Sequence, residues 1–326
     1  MKYIIAIDQG TTSSRAIIYD QNLVIKATGQ EEFPQYFPEA SWVEHDLNEI
    51  WASVKTSIQR ALAAMDDKDF SPDKIAAIGI TNQRETFGLW DKKTSEPTGR
   101  AIVWQCRRSA DICEKIKRSD QGKKISKITG LVVDPYFSGS KVKWLFDKDK
   151  KLKERAKKGE IAFGNMDTFL IWKLSDGASH ATDVSNASRT LFLDLKTLKW
   201  SREALKVFSV PEEILPKVLP SNANFGFTKN LGILPDGIPI TGVLGDQQAA
   251  LFGEAFNPFS GASLLALPVI VYLVRTLPDS LRMKLKYVLA IVLGIAAFVF
   301  MAALMLTGTL VDTTKQVFSG FSDAVS

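Results

Sequence analysis

The 326-residue sequence is poor in the side chains that bind metals through sulfur or imidazole. It has two cysteines, Cys106 and Cys113, and two histidines, His45 and His180. Two cysteines at this spacing, with no neighbouring pair of histidines, form neither a zinc site nor the disulfide framework of a small secreted domain. This composition fits a reducing compartment, so we expect the first 254 residues to lie in the cytoplasm.

Other absences narrow the function classes further. The chain lacks the G-x-x-x-x-G-K-[ST] pattern, so a nucleotide site here would not be a P-loop. The apolar run in the N-terminal MKYIIAIDQG is too short for the hydrophobic region of a signal peptide, and it predicts a buried strand. Formal net charge is +5, but the densest basic run, residues 147–160, also contains acids and has no interleaved aromatics. We interpret that run as a solvated helix face and predict no nucleic-acid binding.

Charge and apolar sequence are divided unevenly along the chain. Residues 1–254 carry nearly all the charge, and residues 255–326 carry most of the contiguous apolar sequence. Residues 287–311 contain no charged side chain, and at about 1.5 Å per residue a helix of that length would cross a bilayer. Residues 260–274 are shorter, contain Pro268 and are predicted to lie at the membrane interface. We therefore predict a domain over 1–254 and a helical tail that anchors it to the cytoplasmic membrane.

Residues 1–254 have the pattern of an α/β domain. Short apolar runs joined by Gly, Asp and Ser turns predict an antiparallel start to a sheet. The clearest helix covers residues 46–65, where Asp46 is a good N-cap and apolar residues recur every three or four positions. The predicted strands are 3–7, 15–19, 23–29, 75–81, one that ends at 90, and 238–244; the predicted helices are 46–65, 109–117, 141–148, 202–208 and one from 247.

The sequence DQGTTSSR, from Asp8 to Arg15, follows the first predicted strand. A carboxylate at a strand end can hold hydrated Mg²⁺, while glycine and hydroxyl residues allow a phosphate to approach the backbone closely. The alternative is an ordinary hairpin turn, because Asp, Gly and Thr are common turn residues.

Three further motifs combine polar and aromatic side chains at strand ends or in turns. In TNQRET, Arg84 and Glu85 could bind a small polyhydroxylated ligand, or they could be an incidental ion pair in a surface turn. In WQCRR, Trp104 could be a flat wall against carbon atoms or a core residue. In DPYFSGSKVKW, Tyr136 lies in a turn that contains proline.

The sequence GVLGDQQAA places Asp246 directly after an apolar strand and before a helix. A carboxylate there can accept a proton from a substrate hydroxyl. The alternative is that Asp246 simply caps the helix.

Together and in order, these motifs resemble the glycerol kinases of the FGGY carbohydrate kinase family. The resemblance rests on AIDQGTTSSRA, WVEHD, IGITNQRET, IVWQCRR, TGLVVDPYFSGSKVKW, DTFLIWKL, TDVSNASRT and GDQQAALFG, and it runs from about residue 2 to residue 254. It implies a ribonuclease-H-like domain of the actin-like ATPase class. It also implies Mg²⁺-dependent transfer of the γ-phosphoryl group of ATP to glycerol, which forms glycerol 3-phosphate.

The resemblance also implies roles for individual residues. Asp246 would be the general base, and Trp104 would form part of the wall against the carbon backbone of glycerol. Asp8 would lie near Mg²⁺. The glycerol hydroxyls would meet Arg84, Glu85, Tyr136, Asp246 and Gln247, and the ATP phosphates would meet Thr11, Thr12, Ser13 and Arg15.

After residue 254 the sequence departs from the family. There the family continues into a second domain that opens with a Gly/Thr phosphate-binding turn, and this pattern is not recognisable in residues 255–326. We therefore expect severely impaired turnover, because stabilising the transferred phosphoryl group needs donors from both sides. The departure also weakens the expectation of the family's homo-oligomer. Two alternatives remain open: a membrane-tethered glycerol-binding or interaction module, and a non-functional fusion of two unrelated coding segments.

Overall fold

The computed structural model describes residues 2–256 of the chain. The chain divides into two compact units, Met1–Leu251 and Phe252–Ser326, and the first contains the sheets, the core and the candidate site. The predicted interfacial segment 260–274 and the predicted span 287–311 lie outside the described residues. Within residues 2–256, no helix is both long and apolar enough to cross a bilayer. The boundary at residue 254 stays a prediction.

The unit begins with four strands and continues with a mixture of helices and strands. The strands are β1 Tyr3–Gln9, β2 Ser13–Asp20, β3 Ile25–Glu32, β4 Glu44–His45, β5 Ile75–Asn82, β6 Phe87–Asp91, β7 Ala101–Ile102, β8 Ile161–Asn165, β9 Ala181–Asp183, β10 Leu193–Asp194, β11 Lys199–Trp200, β12 Lys217–Leu219 and β13 Ile240–Gly245. The helices are α1 Leu47–Ala63, α2 Ala110–Lys117, α3 Asp120–Thr129, α4 Ser138–Lys148, α5 Lys150–Lys157, α6 Met166–Leu174, α7 Val184–Ala187, α8 Arg202–Phe208 and α9 Asp246–Phe256, with short 3-10 helices at Pro72–Lys74 and Glu212–Ile214.

The central sheet has five strands in the order β13-β5-β1-β2-β3. Strands β1, β2 and β3 form an antiparallel meander, which confirms the predicted antiparallel start. Strands β5 and β13 then join in parallel with β1. Asp8 pairs with Thr81, and Gly245 pairs with Asn82, so the carboxyl ends of β1, β5 and β13 meet at one edge. This edge carries most of the predicted site residues.

Helix α1 covers one face of this sheet. Its apolar positions Leu47, Ile50, Val54 and Ile58 are completely buried, as the periodicity of residues 46–65 predicts. The Asp46 side chain accepts hydrogen bonds from the backbone N–H groups of Asn48 and Glu49 at the start of the helix. The predicted N-cap is therefore confirmed.

Removing this cap gives a first prediction. Asp46→Ala leaves two backbone donors at the helix start without their acceptor, so we expect a loss of about 1 kcal/mol in the free energy of unfolding. Urea denaturation followed by circular dichroism measures it. Asp46→Ser, which keeps an acceptor oxygen, should remain near the wild type; an equal loss in both variants would show that the cap is not the cause.

A second sheet, in the order β4-β7-β6-β8, packs with helices α2, α3, α4, α5 and α8 around a separate apolar cluster. Large aromatic side chains fill this cluster, including Phe87, Phe146, Phe163, Phe192 and Phe208. Cys106 and Cys113 are buried free thiols in the same cluster. Helix α5 falls in the basic run of residues 147–160, and its buried side chains are Leu152 and Ala156. The interpretation of that run as a helix with a solvated face is confirmed.

Candidate active site

The ends of β5 and β13 bring Arg84 and Asp246 together at the edge of the central sheet. Arg84 Nε donates to Asp246 Oδ1 at 3.1 Å, and Arg84 Nη1 donates to Gln248 Oε1 at 3.2 Å. The Arg84 side chain is 3% exposed, whereas that of Asp246 is 50% exposed. A buried cation therefore holds a carboxylate that remains open to a ligand.

Gly245 makes this arrangement possible. A Cβ atom at this position would lie 2.3 Å from Arg84 Cδ and 2.7 Å from Arg84 Cγ. Such distances are far inside van der Waals contact, so a larger residue would displace the arginine from Asp246. The glycine before the carboxylate is thus required by the close approach of Arg84.

Glu85 is buried beside Arg84, but the two do not pair with each other. Arg189 Nε donates to Glu85 Oε1 at 2.6 Å, and Ser138 Oγ donates to the Glu85 carbonyl at 2.9 Å. Glu85 has a φ of 59°, in the left-handed region that non-glycine residues rarely adopt. Such backbone strain often marks functional sites. The alternative of an incidental Arg84–Glu85 pair at the surface does not describe this geometry.

Trp104 and Tyr136 form an aromatic pair, with ring centroids 5.5 Å apart and planes at 62°. Trp104 Nε1 donates to Thr11 Oγ1 at 3.2 Å, which ties this pair to the β1–β2 turn. Both rings are half-buried. Burial, and then the nearby Glu85 carboxylate, raise the pKa of the Tyr136 hydroxyl, so that Tyr136 can serve as a neutral donor.

The β1–β2 turn carries the predicted phosphate-binding residues. Gly10 N–H donates to the Ser13 carbonyl at 2.9 Å and closes the turn. Thr12 is exposed, and Thr11 and Ser13 are half-buried. Arg15 is exposed on β2, where Nε and Nη2 donate to Gln30 Oε1 at 3.1 and 3.0 Å. The segment does form a hairpin turn, as the alternative interpretation held. The hydroxyl groups of Thr11, Thr12 and Ser13 can still donate hydrogen bonds to an anion.

Asp8 and Asp246 together have the donor chemistry that suits Mg²⁺. Burial raises the pKa of Asp8; the Arg15 charge lowers it, and the Asp246 carboxylate raises it. Two carboxylates close enough to repel each other are oxygen donors that a divalent cation would stabilise. Within residues 2–256, no group of three or more His, Cys, Asp or Glu side chains could hold a metal. Mg²⁺ commonly needs only one or two carboxylates besides the substrate phosphates, so these residues fit it.

Gln247 and Gln248 have different surroundings. Gln247 is exposed, and its backbone N–H donates to Asp246 Oδ1 at 2.7 Å. It is the side chain of Gln248 that contacts Arg84. Asp246 is thus the first residue of helix α9 and also pairs with Arg84, while the capping interpretation stays a prediction.

Sequence reasoning assigned no role to Arg189 or Lys141. Arg189 lies in the quoted motif TDVSNASRT, but its partner Glu85 is more than 100 positions away, so no local pattern indicates the pair. Lys141 is fully buried and donates to the carbonyls of Val103 and Tyr136, at 3.2 and 3.0 Å. It thereby links the backbone next to Trp104 with the backbone of Tyr136.

The buried His45 on β4 leads us to expect that acid destabilises the fold. It is completely buried, with its Nδ1 3.5 Å from Gln83 Nε2, and burial lowers its pKa from 6.5 to about 4. Between these values the unfolded chain binds a proton that the folded chain does not. Stability is therefore full above pH 6.5 and falls as the pH drops to about 4, by roughly 3 kcal/mol at about 1.4 kcal/mol per unit.

We expect His45→Phe to remove this part of the acid destabilisation. Urea unfolding of both proteins at pH 7, 5.5 and 4.5 measures the difference. His180, whose pKa burial also lowers to about 4, is retained in both proteins and contributes equally. Parallel stability curves for wild type and variant would contradict the prediction.

The comparisons with known proteins bear on the whole domain. Residues 3–253 match the model of the FGGY family of carbohydrate kinases, N-terminal domain. The chain belongs to this family. The predicted ribonuclease-H-like, actin-like ATPase fold is thereby confirmed for the described unit.

Individual relatives of this FGGY domain are glycerol kinases. The chain is 52% identical over 260 residues to glycerol kinase of Myxococcus xanthus, a match that covers 79% of this chain and 51% of the relative. It is 53% identical over 258 residues to glycerol kinase of a Thermoanaerobacter species, again covering 79% of this chain and 51% of that protein. The chain thus spans about half the length of the curated relatives it matches.

Solved structures of sugar and polyol kinases share the fold of this domain. The crystal structure of Plasmodium falciparum glycerol kinase with ADP superposes with a TM-score of 0.73 at 35% identity, covering 78% of this chain and 50% of that one. A xylulose kinase from Lactobacillus acidophilus, at 24% identity and a TM-score of 0.69, covers 78% of this chain and 50% of that one. At this identity the second likeness concerns the fold alone.

Proposed function

We propose that this FGGY domain binds glycerol and takes part in its Mg²⁺- and ATP-dependent phosphorylation to glycerol 3-phosphate. The observation that carries the proposal is the half-exposed Asp246 carboxylate held by the buried Arg84 guanidinium, at the edge where three strands end. The chain is 52–53% identical to glycerol kinases over the matched residues, and this identity supports glycerol as the substrate.

The side chains around Arg84 match the chemistry of a small polyol. Each glycerol hydroxyl can donate one hydrogen bond and accept others, so a complementary site needs both kinds of partner. Glu85 and Asp246 would accept, Arg84 would donate, and Tyr136 and Gln247 would complete the polar contacts. The aromatic ring of Trp104 would pack against the carbon atoms and exclude water from them.

Asp246 would act as the general base. The oxygen of a terminal glycerol hydroxyl forms the new bond to the γ-phosphorus, the bond from that phosphorus to the β–γ bridging oxygen breaks, and the hydroxyl proton passes to Asp246. ADP leaves with the electron pair of the broken bond. Thr11, Thr12, Ser13 and Arg15 would hold the phosphates, and Mg²⁺ near Asp8 would neutralise their charge.

The experiment is a pair of measurements on the purified 326-residue chain. Calorimetry with glycerol should give saturable one-site binding, and incubation with glycerol and Mg-ATP should give glycerol 3-phosphate. We propose that this turnover is slow, because residues 255–326 have no recognisable phosphate-binding turn of the family's second domain. Absence of glycerol binding would overturn the proposed function; turnover at ordinary kinase rates would overturn only the proposed impairment.

A second candidate function is a glycerol-binding module tethered to a membrane. It is favoured by the charge-free run of residues 287–311 and by the presence of Arg84, Glu85 and Asp246 within one compact unit. The two candidates differ in measurable ways. Glycerol binding without turnover, together with sedimentation of the chain with lipid vesicles, supports the module; turnover without vesicle binding supports the kinase.

A further inference from the structure

The short helix α7 connects two of the carboxylates of the candidate site, those of Asp246 and Glu85. The Asp183 side chain caps this helix by accepting hydrogen bonds from the backbone N–H groups of Ser185 and Asn186, each at 2.9 Å. Ser185 Oγ then accepts from Gly245 N–H at 2.8 Å, directly before Asp246. Arg189, just after the helix, contacts Glu85. One helix therefore reaches the backbone beside Asp246 and the side chain of Glu85.

The guanidinium of Arg189 is held on more than one side. Its central carbon lies 4.8 Å from the ring centroid of Phe137 and 5.7 Å from that of Tyr136. The planar cation is thus stacked near aromatic faces, an arrangement that arginine favours and that limits its movement. Its Nε lies 2.6 Å from Glu85 Oε1, the distance of a strong charge-assisted hydrogen bond.

Glu85 needs such a partner because it is buried. Its side chain is only 2% exposed, and burial alone raises its pKa and favours the neutral acid. The hydrogen bond from Arg189 is the largest of the interactions that oppose this rise, followed by the charges of Arg84, Arg189 and Lys141, and the pKa of Glu85 stays above its usual value. Tyr136 also faces this carboxylate. Arg84 has its own hydrogen-bond partners in Asp246 and Gln248, which leaves Arg189 as the direct hydrogen-bonding partner of Glu85.

We propose that Arg189 is a positioning residue for polyol binding, which favours the charged form of Glu85 and fixes the direction of its carboxylate. The inference rests on the proposed function, because it assumes that Glu85 accepts a hydrogen bond from a glycerol hydroxyl. Arg189 acts through Glu85: it sets the charge and orientation of the acceptor. Losing Arg189 should therefore resemble losing the charge of Glu85.

The first test is a double-mutant cycle on the full chain, with glycerol as the titrant. We expect Arg189→Met and Glu85→Gln each to weaken glycerol binding by tenfold or more, and the double variant to be no weaker than the worse single variant within about threefold. Contacting residues that act as a unit behave in this non-additive way. Arg202→Met, which removes an arginine that is 90% exposed, should bind as the wild type does. Multiplicative losses in the double variant would overturn the proposal.

The second test is the pH dependence of glycerol binding. As the pH falls, Glu85 becomes protonated and can no longer serve as a pure acceptor, so affinity falls. Without Arg189 the pKa of Glu85 is higher, so in Arg189→Met this fall must begin at a higher pH than in the wild type. Arg189→Lys keeps a charge and should restore the midpoint in part. A variant that only loosens the fold would lose affinity without moving the midpoint.

A third measurement separates this inference from the proposed function. The carbon-13 resonance of the Glu85 carboxyl group, identified by its loss in Glu85→Gln, reports the titration of Glu85 with no ligand present. We expect its midpoint to rise in Arg189→Met, and an unchanged midpoint would overturn the inference. If the wild-type chain does not bind glycerol at all, the proposed function and the polyol role fall together, while this titration still decides whether Arg189 controls Glu85.

Discussion

Replacing Gly29 by alanine should destabilise the domain by at least about 3 kcal/mol in the free energy of unfolding, at the upper end for overpacking. Gly29 lies on β3 at its closest approach to helix α1. A Cβ atom there would lie 2.1 Å from the Ser57 carbonyl oxygen and 2.6 Å from the Ala61 backbone nitrogen. Both are backbone atoms of a rigid helix, so no side-chain rotation relieves the clash. Either the helix must move off the sheet or the strand must bend.

The measurement is urea denaturation of Gly29→Ala beside Gly242→Ala. Gly242 is also a strand glycine, on β13, but a Cβ atom there would meet nothing within 4 Å. We expect Gly242→Ala to stay within about 1 kcal/mol of the wild type, since alanine replaces glycine without strain. Equal stability of the two variants would mean that the contact between β3 and α1 is not as tight as the structure has it.

The contrast between helices α1 and α6 shows what the sequence could predict. Helix α1 has an apolar face opposite a polar face, so apolar residues recur every three or four positions in its sequence. Asp46 marks its start, and periodicity and capping therefore both indicate the helix. In α6 every residue except Lys173 is buried. A helix surrounded by protein has no polar face, so its apolar residues do not show the helical periodicity by which a helix can be predicted. Helix α8 was predicted with the bounds that the structure has, Arg202–Phe208.

The residues of the candidate site could be proposed one by one from the sequence, but the contacts between them could not. Arg84 and Asp246 could each be singled out because each follows an apolar strand. Their contact depends on the parallel pairing of β13 with β5, which joins residues more than 160 positions apart. No local pattern carries that pairing. The same holds for the contact of Arg189 with Glu85, because Arg189 lies in the turn after helix α7, a helix that the sequence analysis did not predict.

Lys141 illustrates the limit of reading charge from sequence. Lysines are seldom fully buried, so a lysine in a helix is ordinarily assigned to solvent. Here burial lowers the pKa of Lys141 to about 7, and its ammonium group donates to two backbone carbonyls. The two carbonyls that accept from Lys141 come together only in the folded backbone, so no local pattern indicates its position.

The other large effect is expected from Asp246→Asn. Asparagine keeps an oxygen that can accept from Arg84 Nε, but it cannot take the proton of a glycerol hydroxyl. For the proposed reaction, we therefore expect the rate of ATP-dependent glycerol 3-phosphate formation to fall about 10²- to 10⁴-fold, the usual contribution of a general base. Glycerol affinity should fall only about tenfold, or roughly 1.4 kcal/mol, because one of several hydrogen-bonding partners has changed.

Radiolabelled ATP and long incubations make this comparison possible even where the wild-type rate is low. Asp66→Asn, at an exposed aspartate after helix α1, should retain both the wild-type rate and the wild-type affinity. The split between rate and affinity is the decisive result, since proton transfer matters only in the transition state whereas the hydrogen bond matters in both states. If rate and affinity fell by the same factor, Asp246 would be a glycerol-binding residue and the base would have to be sought elsewhere. If neither changed, the open carboxylate at the end of β13 would not be the site of phosphoryl transfer.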